Sequence, residues 1–362
     1  MVDAGCGRTI RPFSCLIVRR ADFLPDRRRS LEYKGCMKRP EDSMSDQELF
    51  DVSPRAQNAL LDQLADVIGR RTVGNEDCAT AIPYLTFFRR EKLTEPNPCL
   101  IEPSIVFVAQ GAKQLLIGDQ AYTYDVARFL IASLDLPGSS QVLQASPDKP
   151  CLGLALRLDL RVITELAGHV RLPASRDRGT DGSAALGTVT PALLEPFDRL
   201  LALLDRPDEI PVLAPLIERE IHFRLLKSDV APRLLQIAAV GSHSQRIARA
   251  IDWIKVNYAG PLRIEGLAAH VQMSTSTLHH HFRQLTAMSP LQYQKWMRLN
   301  EARRMMLNEG IDAASAAFQV GYESPSQFSR EYNRLFGAPP KRDIGTLRER
   351  AGKVRRRLAM TN

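Results

Sequence analysis

Gln327 and Arg330 lie three residues apart in SPSQFSREYNRLFG, and both side chains can read nucleic acid bases. A guanidinium fork matches the two acceptors on the guanine edge, and a carboxamide matches the donor and acceptor of adenine. Ser326 precedes them, and Arg334 follows as a candidate phosphate contact. A parallel set occurs in MSTSTLHHHFRQLT, where Ser276, His279 and His280 fall at exposed positions and Arg283 comes one turn later. Three consecutive histidines also suggest a metal, but neighbouring residues on a helix point in different directions. Base or phosphate contact is therefore the preferred reading. Arg330, Gln327, His279 and His280 are specificity candidates. Arg283, Arg334 and Lys341 are phosphate candidates, and the short serines can reach either.

Such side chains need rigid helices to present them, and the sequence supplies two. In residues 264–286, Ile264, Leu267, Ala268 and Val271 form a short apolar stripe. A polar break and a Ser/Thr cap follow, then Leu278, Phe282 and Leu285 at helical spacing. In residues 311–337, Ile311, Ala314 and Ala317 precede Gly321, Ser324 and the stripe Phe328, Tyr332, Leu335. A hydroxyl just before an apolar run satisfies a free backbone N–H and starts a helix. Gly321 suits a turn with positive φ. Between the copies, residues 290–308 predict a helix roughly 28 Å long at 1.5 Å per residue. Adjacent major grooves on one face of B-DNA are about 34 Å apart, so this connector could hold two reading helices in successive grooves.

The stretch GYESPSQFSREYNRLFGAPP, residues 321–340, resembles the second helix-turn-helix signature of the AraC/XylS family of transcription regulators. The resemblance covers about residues 243–345. It implies an all-α DNA-binding domain with two helix-turn-helix motifs, and it places Ser276, His279, His280, Ser326 and Arg330 at positions facing bases or backbone. Duplex DNA is the partner it implies, with RNA polymerase added if the protein activates.

Charge agrees with this placement. Residues 243–362 carry 19 Lys/Arg against 9 Asp/Glu, whereas residues 44–242 carry 20 against 26. Positive charge concentrated on the reading domain favours binding through phosphate contacts and counterion release. No apolar run reaches the ~18–20 residues of a membrane span. The six cysteines, at 6, 15, 36, 78, 99 and 151, form no CxxC pair. Scattered thiols without a secretory signal fit a reducing cytoplasm, with the protein expected at the nucleoid.

Residues 79–170 change character. Short runs such as SIVFVAQG, KQLLIGD, QAYTYDV and CLGLALRLDL, separated by Gly, Pro and Asp, predict a β-barrel or sandwich. Residues 110–159 resemble the cupin-like N-terminal sensor domain of one branch of AraC-type regulators, although Val126-Ala127 stands where such turns more often carry Pro or Gly. Barrel metal sites use two or three histidines with a carboxylate. The seven histidines are at 169, 222, 243, 270, 279, 280 and 281, all outside residues 79–160. No nucleophile elbow or phosphate-cradling glycine loop occurs either. No metal, cofactor or enzymatic activity is expected, and the barrel reads as a binding chamber. Tyr84, Phe107, Tyr122 and Tyr124 are candidate lining residues, beside the alternative that each is core. Cys99 and Cys151 could sense electrophiles or oxidants, or be inert buried thiols.

The overall expectation is an α+β chain of two main domains: an N-terminal cupin-like barrel with flanking helices and a C-terminal all-α double helix-turn-helix domain. Residues 1–43 read as an extension or an early start codon, and deleting them should leave specific DNA binding intact. Residues 44–78 read as helical and 171–189 as a linker. Residues 190–242 read as helices that pack on the barrel and, by resemblance, form a homodimer contact, and 346–362 as a basic tail. The function expected is a sequence-specific regulator whose barrel senses a small molecule or electrophile. The alternative keeps the DNA reader and makes the barrel a dimerisation module alone.

Overall fold

Phe87 and Phe88 are neighbours in one strand, and both are buried. Successive strand residues face opposite sides of a sheet, so this sheet is covered on both sides. The computed structural model describes residues 54–170, 182–239 and 241–359; the expectation for residues 1–43 lies outside them. Helix α1 (Pro54–Arg71) precedes strands β1 (Asp77–Ala79), β2 (Leu85–Arg90), β3 (Asn97–Ile101), β4 (Ser104–Gln110), β5 (Ala112–Ile117), β6 (Gln120–Asp125), β7 (Arg128–Ala132), β8 (Leu136–Gln144) and β9 (Cys151–Arg157). Helix α2 (Leu160–Ala167), strand β10 (Ala184–Thr188) and helices α3 (Pro191–Ala202), α4 (Ile210–Leu226) and α5 (Ala231–Ala238) follow.

The strands pair antiparallel in two sheets, one in the order β1-β2-β9-β4-β7-β10 and the other β3-β8-β5-β6. On the outer face of the larger sheet, Phe87, Phe107, Phe129 and Leu154 pack under Leu64 and Ile68 of α1 and Phe197 and Leu200 of α3. On its inner face, Phe88, Val108 and Leu130 meet Leu115, Tyr124 and Val142 of the smaller sheet. This is the sheet-rich domain with flanking helices that the sequence leads one to expect. His222 of α4 pins the helical layer: its Nε2 accepts from the Asp159 N–H at 3.0 Å, and its Nδ1 lies 2.6 Å from the Glu218 carbonyl. Burial lowers its pKa and so favours the neutral ring.

Three local expectations change. The segment 171–189 is not all linker, because Ala184–Thr188 forms β10 and pairs with β7. Its small residues hide the strand from a propensity reading, yet smallness is what fits there: a Cβ at Gly187 would run into the Phe129 ring. The Val126-Ala127 turn needs no Gly or Pro, since Asp125 Oδ1 accepts from the Ala127 and Arg128 N–H groups at 2.9 and 3.1 Å. The segment from 346 is no separate tail as far as Ala359, because helix α12 (Pro340–Ala359) takes it in. Ile344 and Leu347 hold that helix to the core of the second motif.

The remaining helices are α6 (His243–Asn257), α7 (Ile264–His270), α8 (Thr275–Thr286), α9 (Pro290–Asn308), α10 (Ala313–Gln319) and α11 (Pro325–Phe336). They dock on the barrel. Tyr293 of α9 donates to the Asp135 carbonyl at 3.2 Å, Lys255 of α6 pairs with the Asp135 carboxylate at 2.9 Å, and Ser183 donates to the Leu285 carbonyl at 2.8 Å. Leu134 and Leu136 belong to the same apolar cluster as Ile251 and Tyr293. No helix among the described residues is long and apolar enough to cross a membrane.

Candidate DNA-reading helices and effector chamber

Helix α8 begins where Ser274 accepts from the Thr277 N–H at 3.1 Å. Leu278 and Phe282 are fully buried against α6 and α7, which turns Ser276, His279 and His280 outward. His281 leaves the histidine run: its ring stacks on His243 at 3.9 Å and its Nδ1 lies 3.0 Å from Gln284 Oε1. Among the described residues no three metal-type side chains come together. Arg283 is exposed, but it lines a cavity between α8 and the barrel.

Helix α11 repeats the design. Ser324 caps it by accepting from the Gln327 N–H at 3.4 Å, and Pro325 occupies the first turn. Phe328 and Tyr332 are fully buried, so Ser326, Gln327, Arg330 and Arg334 are exposed. Gly321 makes the turn before the helix with φ +88°, and a Cβ there would collide with the Ala259 carbonyl. Lys341, at the start of α12, is exposed as well.

Two positioning residues escaped the sequence reading. Glu331 Oε1 accepts from Gln327 Nε2 at 3.3 Å and Lys295 Nζ at 2.9 Å, and Oε2 accepts from the Tyr322 hydroxyl at 2.7 Å. Burial alone would raise its pKa, but these donors bring the carboxyl below its ordinary range. Asp343 accepts from Nε and Nη2 of Arg303, at 2.8 and 3.0 Å, and from the Tyr332 hydroxyl at 2.7 Å. Arg303 also lies 4.3 Å from the Phe336 ring centroid. This clasp joins α9, α11 and α12. The Gln327/Glu331 spacing was the available signal for the first residue; Asp343 offered none, because its partner is 40 residues away.

Between α8 and α11, α9 runs without a break from Pro290 to Asn308, 19 residues. Ser289 and Gln292 start it with a reciprocal capping box. Arg298 fastens it to the neighbouring turns by donating to the Tyr258, Gly260 and Gly321 carbonyls. Helices α8 and α11 are therefore held by a stiff, multiply anchored connector.

The candidate effector residues separate into four places. Tyr124 and Cys151 are buried between the sheets with Phe88, Leu115 and Val142, and Cys99 packs partly buried against them. Phe107 is not there: it faces the helical layer and stacks on Phe197 at 6.3 Å. The alternation that sends Val108 inward sends Phe107 outward. Tyr84 is also outside, 64% exposed on a turn with φ +65° and with Arg157 over its ring. Tyr122 lines the cavity beside Arg283.

Lys113 was missed, although it stands directly opposite Tyr124 in the β5–β6 register. Its Nζ lies 4.1 Å above the Phe88 ring, and it forms no ion pair or hydrogen bond among the described residues. Burial lowers its pKa, and nearby Arg90 lowers it further. Burial raises the pKa of the Cys99 and Cys151 thiols, an effect that Lys113 only partly offsets. A raised pKa disfavours the thiolate, which is the nucleophilic form. The signal in the sequence was parity: Lys113, Leu115 and Ile117 alternate along one face of β5.

Comparison with known proteins agrees with this construction. Residues 81–233 match the AraC-type transcriptional regulator N-terminus, and residues 267–343 match a helix-turn-helix domain. The HTH-type transcriptional regulator ArgR of Pseudomonas aeruginosa is 28% identical over 147 residues, covering 41% of this chain and 45% of ArgR. An HTH-type transcriptional activator RhaS of Pectobacterium atrosepticum is 27% identical over 141 residues, covering 39% of this chain and 48% of RhaS. The chain thus spans about half the length of these relatives. The Yersinia enterocolitica virulence regulon transcriptional activator VirF is 23% identical over 243 residues, 66% of this chain and 88% of VirF. In overall fold the chain is similar to an apo ToxT variant from Vibrio cholerae, with a TM-score of 0.51 at 10% identity over 74% of this chain and 98% of ToxT. With an AraC-type N-terminus followed by a helix-turn-helix domain, the chain belongs to the AraC family of DNA-binding transcription regulators.

Proposed function

We propose that this regulator recognises specific duplex sites by placing α8 and α11 in successive major grooves, and that its barrel senses a small molecule. The observation that carries the first part is the exposed set on α11. Gln327 is oriented by Glu331, while Arg330 stands free of any hydrogen-bond or ion-pair partner among the described residues. A guanidinium with no internal partner, on a capped helix held from behind by a buried clasp, is poised for a guanine edge. His279, His280 and Ser276 are the corresponding readers on α8, with Arg334 and Lys341 on phosphates.

The sensing part rests on Lys113. An ammonium half-buried between apolar walls with no carboxylate paired to it costs stability, which argues for a role other than packing. A ligand carrying a hydrogen-bond acceptor or negative charge would supply the missing partner. The raised thiol pKa values favour reversible binding over capture of an electrophile. Lys113→Met should raise the melting temperature at neutral pH by a few degrees. The sign follows from the lowered pKa: folding disfavours the charged lysine, so the penalty is present at neutral pH. It fades as pH rises from the folded pKa toward the 10.5 of the free side chain. The stability gap between variant and parent should narrow over that range in thermal denaturation. A variant less stable than the parent would make Lys113 a structural residue and remove the anchor.

A homodimer formed through α4 fits the same reading. Val212 and Leu216 on that helix are 66% and 62% exposed, a cost that a second copy would remove. Sedimentation equilibrium reads this directly, and a monomer at all concentrations would refute it. A barrel that serves only for dimerisation would leave the Lys113→Met regulator fully functional in cells. The working location is the cytoplasm at the nucleoid, with RNA polymerase as a further partner if bound promoters are activated.

A further inference from the structure

The seam between the barrel and α8 leaves a solvent-open cavity of about 230 Å3. One wall is the β5–β6 hairpin, with Ile117, Asp119 and Tyr122; the other is the end of α8, with Arg283, Gln284 and Leu285. The two charged side chains are opposite in sign, yet neither Asp119 nor Arg283 forms an ion pair or hydrogen bond among the described residues. Both are exposed residues lining the same cavity, and neither is committed to a partner inside the protein. Below them, Ile117 and Leu285 are each 8% exposed and give an apolar floor. The Tyr122 hydroxyl donates to Gln120 Oε1 on the hairpin side, and burial raises its pKa.

We propose that this seam is a binding site for a small zwitterion, an α-amino acid, with its carboxylate on Arg283 and its ammonium on Asp119. Guanidinium and carboxylate pair through two parallel hydrogen bonds, and the pairing is directional. The apolar floor receives the side chain. An acid lacking the ammonium leaves Asp119 unsatisfied, and an amine lacking the carboxylate leaves Arg283 unsatisfied, so both are discriminated against.

The site lies where the barrel grips the first reading helix. Next to the cavity, Ser183 donates to the Leu285 carbonyl, and the Ser183 carbonyl in turn accepts from the Ser133 hydroxyl at 2.7 Å. The hairpin turn and the α8 cap also press together: a Cβ on Gly118 would lie 2.7 Å from the Ala287 Cβ. A ligand bridging hairpin and helix acts on the contact that orients His279 and His280. This consequence rests on the DNA-reading proposal, but binding itself does not. The site is separate from the Lys113 chamber.

The test is isothermal titration of the full chain with each of the twenty L-amino acids, followed by the deaminated acid and the decarboxylated amine of the best binder. At least one amino acid should bind, and its two truncated analogues should bind about tenfold more weakly or worse. Asp119→Asn should erase the preference for the amino acid over the deaminated acid, and leave DNA affinity without ligand unchanged. Arg283→Gln should erase the preference over the decarboxylated amine, read by calorimetry without DNA. Absence of binding by all twenty at up to about 10 mM overturns the proposal. So does binding that survives both substitutions or that is lost only in Lys113→Met; this last result would move the ligand into the barrel and leave the sensing proposal standing. Sequence-specific DNA binding is measured separately, so its failure cannot be mistaken for failure of the seam site.

Discussion

Asp343→Ala should destabilise the second helix-turn-helix motif by about 3–5 kcal/mol, the range for removing one partner of a buried ion pair. The Arg303 and Asp343 side chains are only 17% and 11% exposed, so water cannot replace the lost carboxylate well. Two groups are orphaned at once, the guanidinium and the Tyr332 hydroxyl. Tyr332 is fully buried between Phe328 and Phe336, which adds the cost of an unsatisfied phenol. Because the clasp holds α11 to α9 and α12, the variant should lose affinity for specific and random duplexes alike. Urea unfolding followed in the C-terminal half reads the effect. Asp343→Asn, which keeps an acceptor for Tyr332, should retain part of the stability. A loss under about 1 kcal/mol for Asp343→Ala would show that the pair behaves as an exposed one and that α11 is held by its apolar face alone.

Arg330→Ala should leave the fold intact and cost about 1–3 kcal/mol at one cognate base pair. Arg330 is exposed and has no internal partner among the described residues, so its removal breaks nothing inside the protein. The discriminating feature is the pattern of loss. A base reader weakens binding to the cognate site and flattens preference at one position, whereas a phosphate contact weakens all sequences and reduces the salt slope by about one. Affinity for the cognate duplex, single-base variants of it and a random duplex separates the two. Equal losses on all of them would reassign Arg330 to the backbone, with Arg334.

Helices α8 and α11 were legible because their signals are local. Ser274 and Ser324 cap them, and Leu278/Phe282 and Phe328/Tyr332 fix which side is buried, leaving the opposite side for chemistry. The connector α9 was legible for the same reason. The interior between the two sheets was harder to read. In β4, Phe107 and Val108 are both fully buried because the sheet is covered on both faces. An aromatic in such a strand does not reveal which core it enters, and Phe107 entered the helical one. Tyr84 was misplaced for a different reason: its positive φ turns the chain at the mouth of β2 and carries the ring outward. Strand β10 escaped because AALGT is mostly Ala and Gly, with Thr188 its one β-branched residue, while its partner β7 has the bulk that fills the space. Asp343 acts through Arg303, 40 residues away, and Lys113 meets Phe88 only across the barrel, so folding alone reveals both; Glu331 has Gln327 within one helical turn, but its bonds to Lys295 and Tyr322 are equally non-local.

The central claim is that two helices on one stiff connector read one duplex in a sequence-specific way. A genome-wide map of sites occupied by the protein, analysed for a shared motif, tests it most directly. The account predicts a bipartite motif whose halves are about one helical turn, 10 bp, apart, upstream of a limited set of genes whose transcripts change when the protein is deleted. Arg330→Ala should blur one half and leave the other sharp. Diffuse occupancy with no shared motif and no transcript change would contradict the claim, leaving a basic domain that binds DNA through charge alone.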